Sequence, residues 1–257
     1  MIPRCLTIAG SDSGGGAGIQ ADLKAFAAAG VHGSSAIVAL TAQNTVGVNA
    51  VLEVPPWFVR AQLDAVWDDI GADTAKTGML FSRATIEAAA EWLEEHPLPL
   101  VVDPVMVASS GVRLLEETAV DALVGRLFPL AAVVTPNLHE ARALVASDNL
   151  SQAELAEALV ALGAPAALVT GGHTDEPVDH LFAGGQHHEI PVERHEVAAA
   201  HGAGCTHSAT LAALLARGEP LLEAARGAAA AASRAVAQGL VDVGRGDGPV
   251  DVLGVGT

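Results

Sequence analysis

The chain has 257 residues, 51% hydrophobic and 17% charged, which is enough apolar material for a full core and excludes a disordered segment or a disulfide-stapled miniprotein. Thirteen basic residues stand against thirty acidic ones, a formal charge of −17, so there is no electrostatic footprint for a polynucleotide backbone. Only two of the basic residues are lysines, Lys24 and Lys76. From the N-terminus, Cys5–Ala9 reads as a strand, Ala17–Ala29 as a helix, Ala36–Leu40 as a strand and Pro56–Asp68 as a helix. The alternation continues with strand Thr74–Thr77, helix Arg83–Glu95, strand Leu100–Val102, helix Glu116–Arg126 and strand Ala132–Thr135. Helices Leu138–Val145 and Gln152–Leu162 and strand Ala166–Thr170 follow, with Ser82 and Ser151 suited to N-caps and Gly30 and Gly163 to C-terminal caps. Val178–Ala183 and His188–Val192, split by Gly184-Gly185-Gln186, read as a hairpin, and Cys205–Arg217 and Leu221–Gln238 as closing helices.

Strand followed by helix, repeated over residues 1–257 without a low-complexity linker, predicts one α/β domain: a mostly parallel sheet with helices on both faces and an antiparallel hairpin at one edge. Two distant cysteines make no disulfide framework, and the first apolar stretch breaks at Gly10-Ser11-Asp12, short of a signal-peptide core. A cytoplasmic protein is the expectation. The uncharged stretches 25–52 and 197–216 are interrupted by polar and glycine residues, so they read as buried elements and not as membrane spans.

Ligands of such sheets bind beyond the carboxyl ends of the strands, which directs attention to four loops. Gly10 to Gly18 is glycine-rich and opens a helix, a setting for anion contact through bare backbone or simply a tight turn. Its Gly16-Ala-Gly-Ile-Gln-Ala21 string is no dinucleotide fingerprint, because no acid lies between Asp22 and Glu53, and no Walker lysine follows it. Gln43 and Asn44 offer paired donors and acceptors for the edge of a nitrogen heterocycle, or form a plain turn. Asp103 and Glu140 each stand just past a buried strand, where two carboxylates suit Mg²⁺ and its waters or are simply helix-start acids. In His201-Gly-Ala-Gly-Cys-Thr206 the N–H groups of Gly202, Ala203, Gly204 and Cys205 would converge at a helix N-terminus, where the Cys205 thiol pKa should fall. A glycine turn with a buried thiol explains the same residues.

Seven blocks in order resemble the hydroxymethylpyrimidine/phosphomethylpyrimidine kinases of thiamine biosynthesis, within the ribokinase-like superfamily. They are Ala9 to Asp22, Thr41-Ala-Gln-Asn-Thr45, Lys76-Thr-Gly-Met79, Asp103-Pro-Val-Met-Val107, Thr135-Pro-Asn137 with Glu140, Gly171-Gly-His173 and His201-Gly-Ala-Gly-Cys205. The resemblance implies a three-layer α/β/α sandwich and two successive phosphorylations by ATP, of 4-amino-5-hydroxymethyl-2-methylpyrimidine and of its monophosphate. It further implies that Asp22 and Gln43 hydrogen-bond the aminopyrimidine while Gly10, Met79 and Val105 line its pocket. Asp103 and Glu140 would hold Mg²⁺, and Asn137 and Thr170 would meet the nucleotide. Gly202 to Cys205 would form the anion hole, with Cys205 accepting or orienting the hydroxyl proton. A homodimer is also implied. Thr170 and Ser109 stand where the family carries lysines, and Arg113 is the nearest cation in sequence to Ser109. A pyridoxal kinase of the same superfamily and a non-catalytic pyrimidine-binding homologue are the competing readings; Gln43 speaks against the first, and Asp103, Glu140 and Cys205 against the second.

Overall fold

The computed structural model describes residues 2–107, 111–172, 177–197 and 199–256. Among them nine strands, β1 (Arg4–Asp12), β2 (His32–Asn44), β3 (Gly47–Glu53), β4 (Thr74–Thr77), β5 (Leu100–Val102), β6 (Val133–Val134), β7 (Ala166–Val169), β8 (Val178–Ala183) and β9 (Gln186–Pro191), form one sheet. The order is β3-β2-β1-β4-β5-β6-β7-β8-β9. The strands from β2 through β7 in that order are parallel, β3 lies antiparallel on β2, and β8 and β9 complete the other edge antiparallel.

The apolar runs of the central strands follow from burial on both faces. In β5, Leu100 and Val102 face one core while Val101 faces the other, and in β7 Ala167 and Val169 oppose Ala166 and Leu168. On the first side pack α2 (Pro56–Asp69), α3 (Arg83–Glu95), α5 (Leu138–Val145) and α6 (Gln152–Ala161). On the second pack α1 (Gly18–Ala28), α7 (Ala203–Ala216) and α8 (Leu221–Ala237), whose alanine stripes let helix and sheet approach closely. The result is the expected three-layer sandwich. No helix among the described residues is long and apolar enough to cross a membrane.

Three elements differ from the sequence reading. β2 runs through Asn44 and turns back as β3, an edge strand that the sequence reading omits, since Thr45-Val46 lacks the usual glycine turn signature. The helix expected over Glu116–Arg126 is instead a single α turn, α4 (Val120–Ala122), between a 3₁₀ turn at Glu117–Ala119 and a wide π turn at Leu123–Leu127. Gly125 weakens the helical register there, and Pro129 ends it in a second 3₁₀ turn, Phe128–Leu130. The last hairpin closes two residues earlier than expected, because Gly184 and Gly185 take φ of 58° and 75° and make a two-residue turn before Gln186. The expected caps form: Ser82 accepts from Thr85 N–H, and Ser151 builds a capping box with Glu154.

Candidate active site

The candidate residues gather at the carboxyl ends of the parallel strands, where each chain leaves the sheet. Asp12 ends β1, Gln43 is the penultimate residue of β2, Met79 and Asp103 follow β4 and β5, and Asn137 and Thr170 follow β6 and β7. The last two are joined by a parallel bridge, with Thr170 N–H donating to Pro136 O at 2.9 Å.

The glycine-rich loop closes on itself. Asp12, 3% exposed, accepts hydrogen bonds from the N–H groups of Gly14 (2.7 Å), Gly16 (3.0 Å) and Ala17 (2.9 Å) and lies 3.0 Å from His201 Nε2. Burial alone would raise its pKa, but His201 and the Gly14 and Ala17 donors outweigh that and hold it below the usual carboxylate value. The backbone donors of this loop therefore serve an internal carboxylate, and the anion cradle expected there is already filled by the chain. Gly18, at φ 56°, crosses so near Gly10 that a Cβ would sit 2.3 Å from its carbonyl oxygen, which explains the glycine.

The turn before α7 is different. Gly202 has φ 85°, and a Cβ there would stand 1.8 Å from Gly16 O, so this turn packs directly on the first loop. Ala203 N–H bonds back to Ala200 O (3.1 Å) and Thr206 N–H to Gly202 O (2.9 Å). Between them the N–H groups of Gly204 and Cys205 have no acceptor among the described residues, and the first turn of the helix holds no acid. Two unmet donors at the positive end of a 14-residue helix fit an anion.

Cys205 corrects one expectation. Its thiol pKa does not fall at the helix N-terminus: burial pushes it up to about 12, the charges of Asp22 and Asp103 add to the rise, and Lys76 and the Gly18 N–H oppose it. The residue keeps part of its surface, yet its thiol stays protonated near neutral pH.

Asp22 is turned inward. It is wholly buried, with its oxygens 2.9 and 3.1 Å from Lys76 Nζ and a 2.6 Å hydrogen bond from Thr7 Oγ1. Its carboxylate has no exposed surface. Lys76, also 0% exposed, lies 3.5 Å from Asp103 Oδ2, which accepts at 2.7 Å from Ser208 Oγ on α7. The sequence reading assigned Lys76 no role, although a lysine inside a fully buried four-residue strand must find acidic partners.

Glu140 caps α5 in a reciprocal box with Asn137, each accepting the other's backbone N–H at 2.9 Å. Glu140 is thus a helix-start acid, and it also shares its surroundings with Asp103. Burial first and the charge of Asp103 second push its carboxyl well above the ordinary range, while N–H groups of Asn137 and Met106 pull it down. Two hard-oxygen donors, 5% and 9% exposed and mutually repelling, fit a divalent cation that keeps most of its water. No group of three or more metal-ligating side chains occurs among the described residues.

Gln43 accepts from Thr41 Oγ1 (3.1 Å), lies 3.4 Å from His201 Nε2, and lines a cavity of about 260 Å³ with His201, Arg245 and Asp247. Met79 covers Gly10: the Gly10 N–H donates to its carbonyl at 3.0 Å, and a Cβ at position 10 would stand 2.5 Å from its methyl. Val105, partly buried, lies two residues beyond Asp103. The Asn137 carbonyl oxygen is taken by its cap, which leaves the amide nitrogen for a ligand. Ser109 and His173 fall outside the described residues, and Arg113 is exposed across a bridge from Val107. The sequence reading gave no role to Asp12 and His201, whose pairing spans 189 residues.

Comparison with known proteins identifies the family. The phosphomethylpyrimidine kinase family matches residues 12–251, a span that opens on Asp12 and includes both turns. The hydroxymethylpyrimidine/phosphomethylpyrimidine kinase of Rhizobium meliloti (strain 1021) is 50% identical over 257 residues, 97% of each chain. An ADP complex of Bacillus subtilis pyridoxal kinase superposes with a TM-score of 0.90 at 37% identity, over 98% of this chain and 97% of that one. Phosphomethylpyrimidine kinase from Clostridium difficile 630 superposes with 0.79 at 38% identity, over 89% and 96%. The chain belongs to the phosphomethylpyrimidine kinase family.

Proposed function

We propose that the chain, acting as one domain, uses ATP to phosphorylate the hydroxymethyl group of 4-amino-5-hydroxymethyl-2-methylpyrimidine and then the resulting monophosphate, supplying the diphosphate for thiamine biosynthesis. The carrying observation is the pair of N–H groups, Gly204 and Cys205, without an acceptor among the described residues at the start of α7, the helix whose Ser208 donates to Asp103. Phosphoryl transfer passes through a loose transition state that needs positioning and charge stabilisation more than a strong base. The α7 N-terminus stabilises the transferring group, and Gln43 reads the heterocycle edge over the Gly10–Met79 floor. The substrate oxygen bonds to the γ-phosphorus as the bond to the β-phosphate oxygen breaks and ADP leaves. Because the Cys205 thiol stays protonated, its part is to orient the hydroxyl, whose proton departs late to a phosphoryl oxygen and then to solvent. Asp103 and Glu140 would hold Mg²⁺, which supplies neutralisation of phosphate charge. Asn137 and Thr170 lie where the nucleotide would reach.

The fold likeness to pyridoxal kinases makes pyridoxal the competing acceptor. Gln43, together with the higher identity to the pyrimidine kinase of Rhizobium meliloti, supports the pyrimidine. ADP release measured with the pyrimidine, its monophosphate and pyridoxal side by side decides between them: preference for pyridoxal, or no release with any of the three, overturns this reading. A cytoplasmic homodimer completes the proposal. Leu40 and Leu52, a cross-strand pair on β2 and β3, are exposed together with Trp57 and Phe58 at the start of α2, and this apolar edge suits a second copy.

A further inference from the structure

Both lysines of this acidic chain stand at the candidate site. Lys24 Nζ donates to Gly15 O at 2.7 Å, bracing the glycine turn from outside. Lys76 lies on β4, in the middle of the sheet, and its ammonium, with the Asp103 it reaches, ties together residues from four elements. Asp22 comes from α1, Lys76 from β4, Asp103 from the end of β5, and Ser208, which holds the same Asp103 oxygen, from α7. Gly78 leaves the room this needs, since a Cβ there would stand 2.9 Å from Lys76 Nζ.

Burying an ammonium is costly unless it is paired and hydrogen-bonded. Asp22 alone would neutralise Lys76, and Thr7 completes the hydrogen bonding of that pair. The further contact, 3.5 Å to Asp103, is unnecessary for neutrality, and it reaches a carboxylate that already faces Glu140. Asp103 is thus held from two sides, by Lys76 from the sheet and by Ser208 from the same helix whose first turn offers the Gly204 and Cys205 donors.

We propose that Lys76 is a positioning residue for phosphoryl transfer: braced by Asp22, its ammonium fixes Asp103 in register with the N-terminus of α7. The proposal rests on the kinase reading above. Asp22 then acts through Lys76 and not by touching the substrate. The same ammonium supplies the local positive charge that opposes the rise of the Cys205 thiol pKa.

The test replaces the ion pair by apolar side chains, Lys76→Met with Asp22→Leu, a change that leaves no uncompensated lysine and that buried pairs often tolerate. Thermal unfolding reports the fold, calorimetry reports the affinities for ATP and the pyrimidine, and steady-state kinetics separate kcat from KM. The expected result is a folded variant with both affinities within about threefold of wild type and kcat lower by about a hundredfold or more, since the lost interaction acts in the transition state. A folded variant with near wild-type kcat, or with weakened binding and unchanged kcat, overturns the proposal. If the double variant does not fold, Lys76→Ala supplemented with ethylammonium decides: saturable recovery of kcat at unchanged KM and unchanged Tm supports it, and no recovery overturns it. A wild-type enzyme that releases no ADP with either pyrimidine refutes the kinase reading, an outcome distinct from loss of kcat against an active wild type.

Discussion

The loop from Gly10 to Gly18 and the turn from Gly202 to Cys205 look alike as sequence, since both follow extended chain and lead into an alanine-rich helix. In the folded chain they pack on each other, with Gly202 pressed against Gly16 O, and they do opposite things with their N–H groups. The first directs three of them onto Asp12; in the second, the N–H groups of Gly204 and Cys205 have no acceptor among the described residues. A glycine string therefore says that backbone can be exposed, while an internal carboxylate decides whether a ligand can use it. Asp12 and His201 make the first turn a support on which the second is aimed.

The largest expected effect comes from closing the second turn. Gly202→Ala forces a side chain into φ 85° and into Gly16 O, so it should lower kcat by about two to three orders of magnitude, and chemical denaturation should show a loss of roughly 2 kcal/mol or more. Next is Cys205. If the thiol only orients the hydroxyl, Cys205→Ala should lower kcat by about tenfold to a hundredfold, whereas Cys205→Ser should stay within about tenfold. With the thiol held at about 12, the Cys205→Ser and wild-type kcat profiles should run parallel across neutral and mildly alkaline pH; an inflection present only in wild type would restore a thiolate base.

Asp12→Asn probes the other turn and should act on stability before catalysis. About 1–3 kcal/mol is expected from weakening a buried, charge-assisted cap, with kcat within about tenfold of wild type. The sign with pH follows from its lowered pKa: the stabilisation is fully present above the unfolded value of about 3.9 and is lost as pH falls through the lower folded value. Denaturation curves of wild type and variant should therefore begin to converge as pH falls below about 4 and meet only below the lower folded value. If Asp12→Asn instead cost more turnover than Cys205→Ala, the roles given to the two turns would be exchanged. The smallest effect is expected at Gln43, where Gln43→Ala should raise KM for the pyrimidine by about tenfold and leave KM for ATP unchanged.

Most of the architecture was legible, because buried parallel strands need continuous apolar runs and their capping residues announce the helices, as at Ser82 and Ser151. What escaped depends on contacts between distant residues. β3 alternates poorly and is held as an edge strand by β2, and the helix expected before Phe128 yields to Gly125 and Pro129. Within the site, residue types and strand-end positions pointed to Asp103, Glu140, Gln43 and the α7 turn. Sequence could not show that Asp12 fills the first glycine loop from within, that Asp22 turns inward to Lys76, or that burial overrides the helix N-terminus at Cys205. Lys76 carried a usable signal, an ammonium in a strand with no exposed position, and charge pairing was the inference it called for.

The central claim is that the transferring phosphoryl group meets the α7 turn and not the glycine-rich loop. A crystal structure with ADP, aluminium fluoride and the hydroxymethylpyrimidine tests it most directly. The expected complex places fluorines about 2.7–3.1 Å from the Gly204 and Cys205 nitrogens, with Asp12 still bonded to Gly14, Gly16 and Ala17. Fluorines seated on those three N–H groups, with Asp12 displaced, would contradict the account.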